Sequence, residues 1–127
     1  MSRLMSVSLT EDAVRARTKT VTRRKGWTFL RPGDRLTLCR KVMGRKAGEP
    51  LERIAEVEVV DVRREPLIAF RYEDIGREGV PAPEWATTNH ERLCRDCAVA
   101  SWTGWYARTM GIPIDSTEVT RIEWRYL

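Results

Sequence analysis

Six consecutive residues, KTVTRR at positions 19–24, combine an amine, two hydroxyls and two guanidinium groups. If this segment is extended, side chains alternate between its faces, so Thr22 and Arg24 point one way and Arg23 points the other. Lys19 is out of phase with the first face and can join it only from the turn before the strand. The pattern therefore predicts an amine, a hydroxyl and a guanidinium on one surface.

Lys19 is surrounded in the sequence by like charges. Its cationic neighbours are Arg17, Arg23, Arg24 and Lys25. Like charge and partial burial both lower the pKa of an ammonium group toward neutrality. Because a neutral amine can take a proton, Lys19 is a candidate proton acceptor.

The positive charge of the chain is unevenly distributed. The net charge is +5, but the first 48 residues hold thirteen Lys and Arg against three acidic residues, whereas the remaining ten basic residues are outnumbered by fifteen acidic ones. A basic half that carries the motif indicates an anionic partner, for which RNA, a nucleoside or a nucleotide fits best; a lopsided solvated surface is the alternative. The candidate ligand-binding residues are Arg17, Arg23, Lys25, Trp27, Arg31 and Lys41.

A second group of reactive side chains follows later in the chain. His90, Cys94 and Cys97 have the spacing H-x3-C-x2-C, in which the gap between the thiols is typical of metal ligands. Alternation places the leucines of strand 35–42 toward the core and Cys39 on its outer face. With Cys39 as a fourth ligand, the three residues predict a structural zinc site. The alternative is three reduced thiols and a solvated histidine on a helix. A catalytic deaminase zinc is not expected, because the H-x-E and P-C-x-x-C motifs are missing from the sequence.

The 127 residues have the length of one domain, and 42% hydrophobic with 32% charged residues is typical of a soluble globular protein. No apolar run approaches the roughly 20 residues that span a bilayer, and the first nine residues lack the features of a signal peptide. We therefore expect a single domain over residues 1–127, no membrane partner, no required cofactor and a cytoplasmic location.

Hydrophobic periodicity and turn residues predict five strands and several short helices. The strands are expected at 3–9, 20–24, 35–42, 53–64 and 119–126. The long strand should contain a bulge, because its apolar residues change phase at Val59 and Val60. Helices are expected at 10–17, at 68–77 and once or twice within 82–111.

The segment 82–111 is rich in large aromatic side chains. These are Trp85, Trp102, Trp105 and Tyr106. Aromatic residues at helical spacing are more often part of a core than platforms for stacking bases. We therefore expect these side chains to lie on one or two short helices that cover the barrel and to be part of its core.

Several segments resemble ASCH domains, small barrels related to the PUA fold of RNA-binding proteins. The pattern G-x-K-x-x-T-x-R of those domains is matched by Lys19, Thr22 and Arg24, with Arg17 in place of the glycine. Other similar segments are RPGDRLTL (31–38), ERIAEVEVVDVRREPL (52–67), IGREGVP (75–81) and VTRIEWRYL (119–127). The resemblance implies an α+β fold, a PUA-like β-barrel with short helices over one mouth and a helical insertion around 82–111. An OB-type barrel is the rival fold.

The resemblance also implies a function. Some ASCH proteins are described as amidohydrolases of acylated cytidine, and others as RNA-binding. In the first group Lys19 would act as base, Thr22 as nucleophile and Arg24 as the holder of the oxyanion. A glutamate completes that site, and its match is Glu78, with Glu65 as an alternative. The expected function is binding of RNA or a nucleoside, together with hydrolytic activity as a nucleoside amidohydrolase or a ribonuclease. The alternative function is a non-catalytic RNA-binding module. In that case Glu78 would only form a structural salt bridge with Arg24 or Lys19.

Overall fold

A mixed five-stranded sheet, curved into a half-barrel, forms the centre of the computed structural model, which describes residues 2–127. The strands are β1 (Arg3–Ser6), β2 (Val21–Arg24), β3 (Arg35–Cys39), β4 (Arg53–Pro66) and β5 (Glu118–Tyr126). This confirms the expected α+β barrel-like architecture. Three strands are shorter than predicted, and β4 extends to the proline that was expected to end it.

The strand order is β1-β3-β4-β5-β2, with β1 parallel to β3 and the other neighbours antiparallel. Strands β1 and β2 are therefore the two edges of the sheet. A side chain bridges these edges, because Nη2 of Arg24 on β2 donates a hydrogen bond to the carbonyl oxygen of Ser6 on β1 at 2.7 Å. The barrel is left open along this seam.

The predicted bulge lies in the long strand β4. Val59 pairs with Trp124 and Asp61 pairs with Glu123, so the register against β5 shifts by one residue between them. The shift resolves the change of phase at Val59 and Val60, because Val59 is fully buried whereas Val60 is exposed. This prediction is confirmed.

The helices are α1 (Glu11–Arg15), α2 (Asp74–Glu78), α3 (Ala82–Trp85), α4 (Asn89–Leu93) and α5 (Arg95–Met110). Two short 3-10 turns cover Ser8–Thr10 and Leu67–Ala69. None of the helices within residues 2–127 is long and apolar enough to cross a membrane.

The prediction of one helix over 68–77 is wrong. After the 3-10 turn the backbone becomes extended at Phe70 (φ −54°, ψ 135°), and a helix begins only at Asp74. The extended residue turns its ring into the core, where it stacks on Trp102 with 4.2 Å between ring centroids. Burial of this ring outweighs the helical propensity of the segment.

Two apolar clusters stabilise the fold. The first fills the curve of the sheet and includes Met5, Leu36, Leu38, Val57 and Ile122. The second lies between the sheet and the helices and includes Leu67, Phe70, Trp85, Trp102, Trp105 and Tyr106. The four aromatic residues of 82–111 are therefore core residues, as expected.

Cys39 does not face outward, contrary to the alternation predicted for β3. Thr37 and Cys39 are both buried, and so are Leu36 and Leu38 on the other face. Thr37 Oγ1 donates to the carboxylate of Glu56 at 2.7 Å, which allows a polar residue to be covered. Strand β3 is thus buried on both faces.

Candidate active site

A cavity of about 190 Å³ opens at the seam between β1 and β2. One side is formed by Ser6 and the turn that follows β1, and the other by β2 and the residues before it. Its lining contains all four of the predicted catalytic residues, Lys19, Thr22, Arg24 and Glu78, together with Arg23, Val80, Trp102, Trp105, Tyr106 and Met110.

The backbone fixes Lys19 at the start of the motif strand. Its N–H donates to the carbonyl oxygen of Ala13 at 3.2 Å. Its carbonyl oxygen accepts hydrogen bonds from Trp124 Nε1 at 3.0 Å and from the Tyr126 hydroxyl at 2.5 Å. As predicted, Lys19 reaches the site from the turn before the strand.

Arg17, which stands where the ASCH pattern has glycine, adopts the left-handed backbone conformation at φ 62°. Glycine is favoured there because a Cβ atom crowds the backbone at positive φ. The turn therefore keeps the shape that glycine would give it, although the residue is an arginine. Its guanidinium lies over the ring of Tyr126, 5.5 Å from the centroid.

Glu78 is the last residue of α2 and approaches Lys19 in two ways. Nζ of Lys19 donates to the carbonyl oxygen of Glu78 at 2.5 Å and lies 3.5 Å from its Oε1. The next residue, Gly79, has φ 74°, and a Cβ there would lie 2.6 Å from the Cβ of Ala13 and 3.1 Å from that of Lys19. Glycine is thus required for α2 to come this close.

The lysine is buried, with 2% of its surface exposed. Burial has the largest effect on the pKa of Lys19 and lowers it. The Glu78 carboxylate raises the pKa, whereas the positive charges of Arg24 and Arg23 lower it further. The resulting pKa is about 8. The expected direction is confirmed. Burial lowers this pKa more than the neighbouring positive charges that the sequence analysis emphasised.

Thr22 and Arg24 share one face of β2. Thr22 is 4% exposed, and its hydroxyl oxygen accepts a hydrogen bond from Nε of Arg24 at 3.3 Å. Burial lowers the pKa of Arg24 below its usual range, although the Glu78 carboxylate opposes this. Within residues 2–127 the ion-pair partners of Glu78 are Lys19 and Arg23, and Arg24 is not among them. The guanidinium of Arg24 therefore contacts the hydroxyl of Thr22 and forms no ion pair with Glu78.

Arg23 lies on the opposite face of β2 and is an internal structural residue. Its guanidinium pairs with three carboxylates, at 2.8 Å from Glu78, 2.9 Å from Glu65 and 2.6 Å from Asp74. It also lies over the ring of Phe70, 4.4 Å from the centroid. The side chain of Arg23 is 1% exposed, and both terminal nitrogens of its guanidinium bind carboxylates, while its Nε is buried without a hydrogen-bond partner among residues 2–127. The guanidinium therefore does not form the external binding surface that the sequence suggested.

Sequence reasoning missed Asp74 and Arg121. Arg121 faces Arg23 in the pairing of β2 with β5, and its Nε donates to Asp74 at 2.8 Å. Burial alone would raise the pKa of Asp74, but hydrogen bonds from Arg121 and Arg23 lower it to about 2. A signal was present, because two arginines on a buried strand face require a carboxylate.

An aromatic wall closes the cavity on the helical side. Trp102, Trp105 and Tyr106 all come from α5 and are less than a tenth exposed. The hydroxyl of Tyr106 donates to the carbonyl oxygen of Arg23 at 3.0 Å, and burial raises the pKa of Tyr106 to about 12. The wall is thus fixed to the motif strand.

The other predicted binding residues lie outside the cavity lining. Arg17, Lys25 and Arg31 are exposed. Trp27 packs against Phe29 with 5.5 Å between ring centroids. Lys41 lies 3.7 Å from Glu49, beside a different depression of the surface. The structure therefore separates the buried motif residues from an exposed set of cations.

His90, Cys94 and Cys97 come together at the junction of α4 and α5. One ligand atom from each lies within 4.8 Å of the others, an arrangement compatible with zinc. Cys39 is not a member of this group; its thiol donates to the carbonyl oxygen of Thr37 at 3.5 Å within β3. The placement of Cys39 as a fourth ligand rested on an outward orientation that its burial contradicts.

No family model matches the sequence, and no curated protein matches it. Solved structures do share its fold. A protein from Enterococcus faecalis described under family DUF984 has a TM-score of 0.60 at 10% identity, over 100% of this chain and 76% of its own. An ASCH domain from Lactobacillus crispatus has a TM-score of 0.54 at 12% identity, over 98% of this chain and 79% of its own. With its motif residues assembled in one cavity, the chain has the fold of an ASCH domain.

Proposed function

We propose that this protein hydrolyses the amide bond of an acylated nucleoside in the cavity at the seam. The observation that carries the proposal is that the cavity gathers a buried lysine, a threonine hydroxyl and a guanidinium on its wall. These are the groups required for nucleophilic acyl transfer: a base, a nucleophile and a donor for the oxyanion.

In the proposed reaction the neutral amine of Lys19 accepts the proton of the Thr22 hydroxyl as Oγ1 attacks the acyl carbon. The carbonyl electrons move to oxygen, and the resulting oxyanion is stabilised by the guanidinium of Arg24. The C–N bond then breaks and Lys19 returns its proton to the departing amino group of the base. Water hydrolyses the threonine ester, releases the carboxylic acid and restores the hydroxyl.

Glu78 has a positioning role in this scheme. Its carbonyl oxygen and its carboxylate both contact Nζ of Lys19, at 2.5 and 3.5 Å. Arg23 holds the other carboxylate oxygen of Glu78 at 2.8 Å. These contacts hold the amine at the cavity wall. Because burial outweighs the effect of Glu78, the ammonium group loses its proton near pH 8 and becomes the neutral base that the reaction needs.

The dimensions and lining of the cavity favour a small aromatic substrate. Its volume of about 190 Å³ is below the approximately 300–1,000 Å³ of sites for drug-sized ligands. A single base with a short acyl group is more suitable than an oligonucleotide for this space. The indole and phenol rings of Trp102, Trp105 and Tyr106 provide apolar and aromatic surface against such a base.

The test is turnover of N4-acetylcytidine to cytidine and acetate. Thr22→Val removes the hydroxyl with little change of shape and should abolish turnover, whereas Thr22→Ser should retain part of it. Lys19→Met should reduce turnover by about 100-fold or more, the usual contribution of a general base. Lys46→Ala, at an exposed lysine outside the cavity lining, serves as the control and should leave it unchanged. An inactive native protein, or an active Thr22→Val, would contradict the proposal.

RNA binding without hydrolysis is a second candidate function. It is favoured by the exposed cations Arg17, Lys25 and Arg31, which lie close in sequence to the cavity residues. Binding through phosphates should weaken with salt, with a slope of log K against log salt of about −0.7 per contact on single strands. Fluorescence anisotropy with a short single-stranded RNA, comparing the native chain with Arg31→Glu and Lys41→Glu, measures this slope. A flat salt response would exclude this mode of binding.

A further inference from the structure

We propose that His90, Cys94 and Cys97 bind a zinc ion that stabilises the junction of α4 and α5. The site is distinct from the cavity at the seam and does not depend on the proposed hydrolysis. It comprises an imidazole from α4, the residue at the N-cap of α5 and a thiol from the first turn of α5.

The three ligand atoms are already close to the spacing that zinc requires. They lie within 4.8 Å of one another, and Nε2 of His90 is 3.2 Å from Sγ of Cys97. Around a tetrahedral zinc ion, with Zn–S near 2.3 Å and Zn–N near 2.1 Å, ligand atoms are separated by roughly 3.6–3.8 Å. Small rotations of the exposed His90 ring and of the half-buried Cys94 and Cys97 side chains would reach this geometry.

The start of α5 favours the negatively charged form of the Cys94 thiol. Sγ of Cys94 accepts a hydrogen bond from the N–H of Cys97 at 3.4 Å. Cys94 caps the 16-residue helix α5, whose first N–H groups carry partial positive charge. Thiolates are the form of cysteine that binds metal, and helix N-termini favour them.

The chemistry of the ligands selects the metal. Two thiolates and an imidazole suit Zn²⁺, whereas Mg²⁺ and Ca²⁺ prefer oxygen ligands. Within residues 2–127 no carboxylate joins the group, and Cys39 is buried in β3. Because His90 is exposed, solvent can reach the fourth coordination position. A water molecule is therefore the expected fourth ligand.

Zinc at this position would affect the cavity indirectly. Helix α5 runs from the proposed site to the aromatic wall formed by Trp102, Trp105 and Tyr106. Binding energy at a structural metal site is also folding energy. The ion should therefore stabilise the helical cover and raise the melting temperature of the chain.

The experiment uses the full chain, purified under reducing conditions without chelator. Its metal content is measured by mass spectrometry, and the stripped protein is then titrated with Zn²⁺ against a chromophoric chelator. We expect one zinc per chain, protection of the Cys94 and Cys97 thiols from alkylation, and a lower melting temperature after chelation. Co²⁺ in place of Zn²⁺ should give the absorption of a thiolate-bound tetrahedral ion.

Variants assign the site. Loss of a hydrogen-bond partner outside the ligand set lowers metal affinity by roughly 10- to 100-fold. His90→Ala and Cys97→Ser each remove a ligand and should therefore weaken zinc binding by more than this. Arg92→Ala, on the exposed face of α4, should leave the affinity unchanged. Because His90 is exposed, loss of its ring should not prevent folding. Absence of zinc binding by the reduced native chain, or equal binding by His90→Ala and Cys97→Ser, would overturn the proposal, as would a Cys94–Cys97 disulfide in place of the metal.

Discussion

Nζ of Lys19 donates a hydrogen bond of 2.5 Å to the carbonyl oxygen of Glu78 and lies 3.5 Å from the carboxylate of the same residue. Burial nevertheless lowers the pKa of this lysine from its ordinary 10.5 to about 8. The carboxylate therefore compensates only in part for the loss of water around the ammonium group.

Because of this lowered pKa, the free energy of unfolding should change with pH in the alkaline range. Below pH 8 Lys19 is protonated in both the folded and the unfolded chain, and its contribution does not change with pH. Between pH 8 and 10.5 the folded chain has released a proton that the unfolded chain still holds, so raising the pH favours the folded state.

Lys19→Met removes this dependence. Across that range, the free energy of unfolding of the native chain should rise by about 3 kcal/mol relative to Lys19→Met. Tyrosine ionisation changes both proteins alike and cancels in the difference. Urea unfolding at several pH values measures it, and a constant difference between the two proteins would contradict the lowered pKa.

The buried ion pairs of Arg23 predict a large loss of stability. Arg23→Met leaves the carboxylates of Glu65, Asp74 and Glu78 without their shared partner, and removal of one member of a buried charge network costs about 3–5 kcal/mol. Arg63→Met is the matched control, because Arg63 also pairs with Glu65 but is 46% exposed. Its loss should cost less than about 1 kcal/mol. Similar losses in denaturant unfolding would mean that Arg23 has no special role.

Gly79 should be more sensitive to substitution than other glycines of similar backbone conformation. Gly79→Ala combines positive φ with a contact of 2.6 Å to Ala13, whereas Gly48 has φ 82° and no atom within 4 Å of its added Cβ. Gly48→Ala therefore isolates the backbone strain. Gly79→Ala should cost about 1–3 kcal/mol more, the usual penalty of overpacking, and should displace Lys19. Equal melting temperatures for the two variants would show that the close approach is not present.

Arg17 offers a test of the turn before the motif. Arg17→Gly relieves the positive φ, and Arg17→Ala retains it, while both remove the contact with Tyr126. Arg17→Gly should thus be more stable than Arg17→Ala by about 1 kcal/mol. If Arg17→Ala is the more stable in thermal unfolding, the left-handed conformation at this position is incorrect.

Local patterns in the sequence predicted the five strands and the common face of two candidate site residues. Alternation placed Thr22 and Arg24 on one face, and the change of phase at Val59 and Val60 located the bulge. Glu78 was identified only by the resemblance to ASCH domains, since nothing in the spacing connects it to Lys19. Their contact depends on the close approach of α2, which Gly79 permits.

Other features depend on tertiary packing that the sequence does not display. From the sequence Arg23 was interpreted as a surface cation, because the carboxylates that pair with it are more than 40 residues away along the chain. Cys39 was expected to face solvent, since alternation does not reveal that both faces of β3 are covered. The helix expected at 68–77 gave way to burial of Phe70 against Trp102.

The dependence of kcat/KM on pH for N4-acetylcytidine tests the central claim most directly. If the neutral amine of Lys19 is the base, kcat/KM should rise with pH and level off above an inflection near pH 8. Lys19→Met should retain only weak turnover without this inflection. A native profile that is flat through pH 8, or the same inflection in Lys19→Met, would contradict the assignment of Lys19 as the base of this cavity.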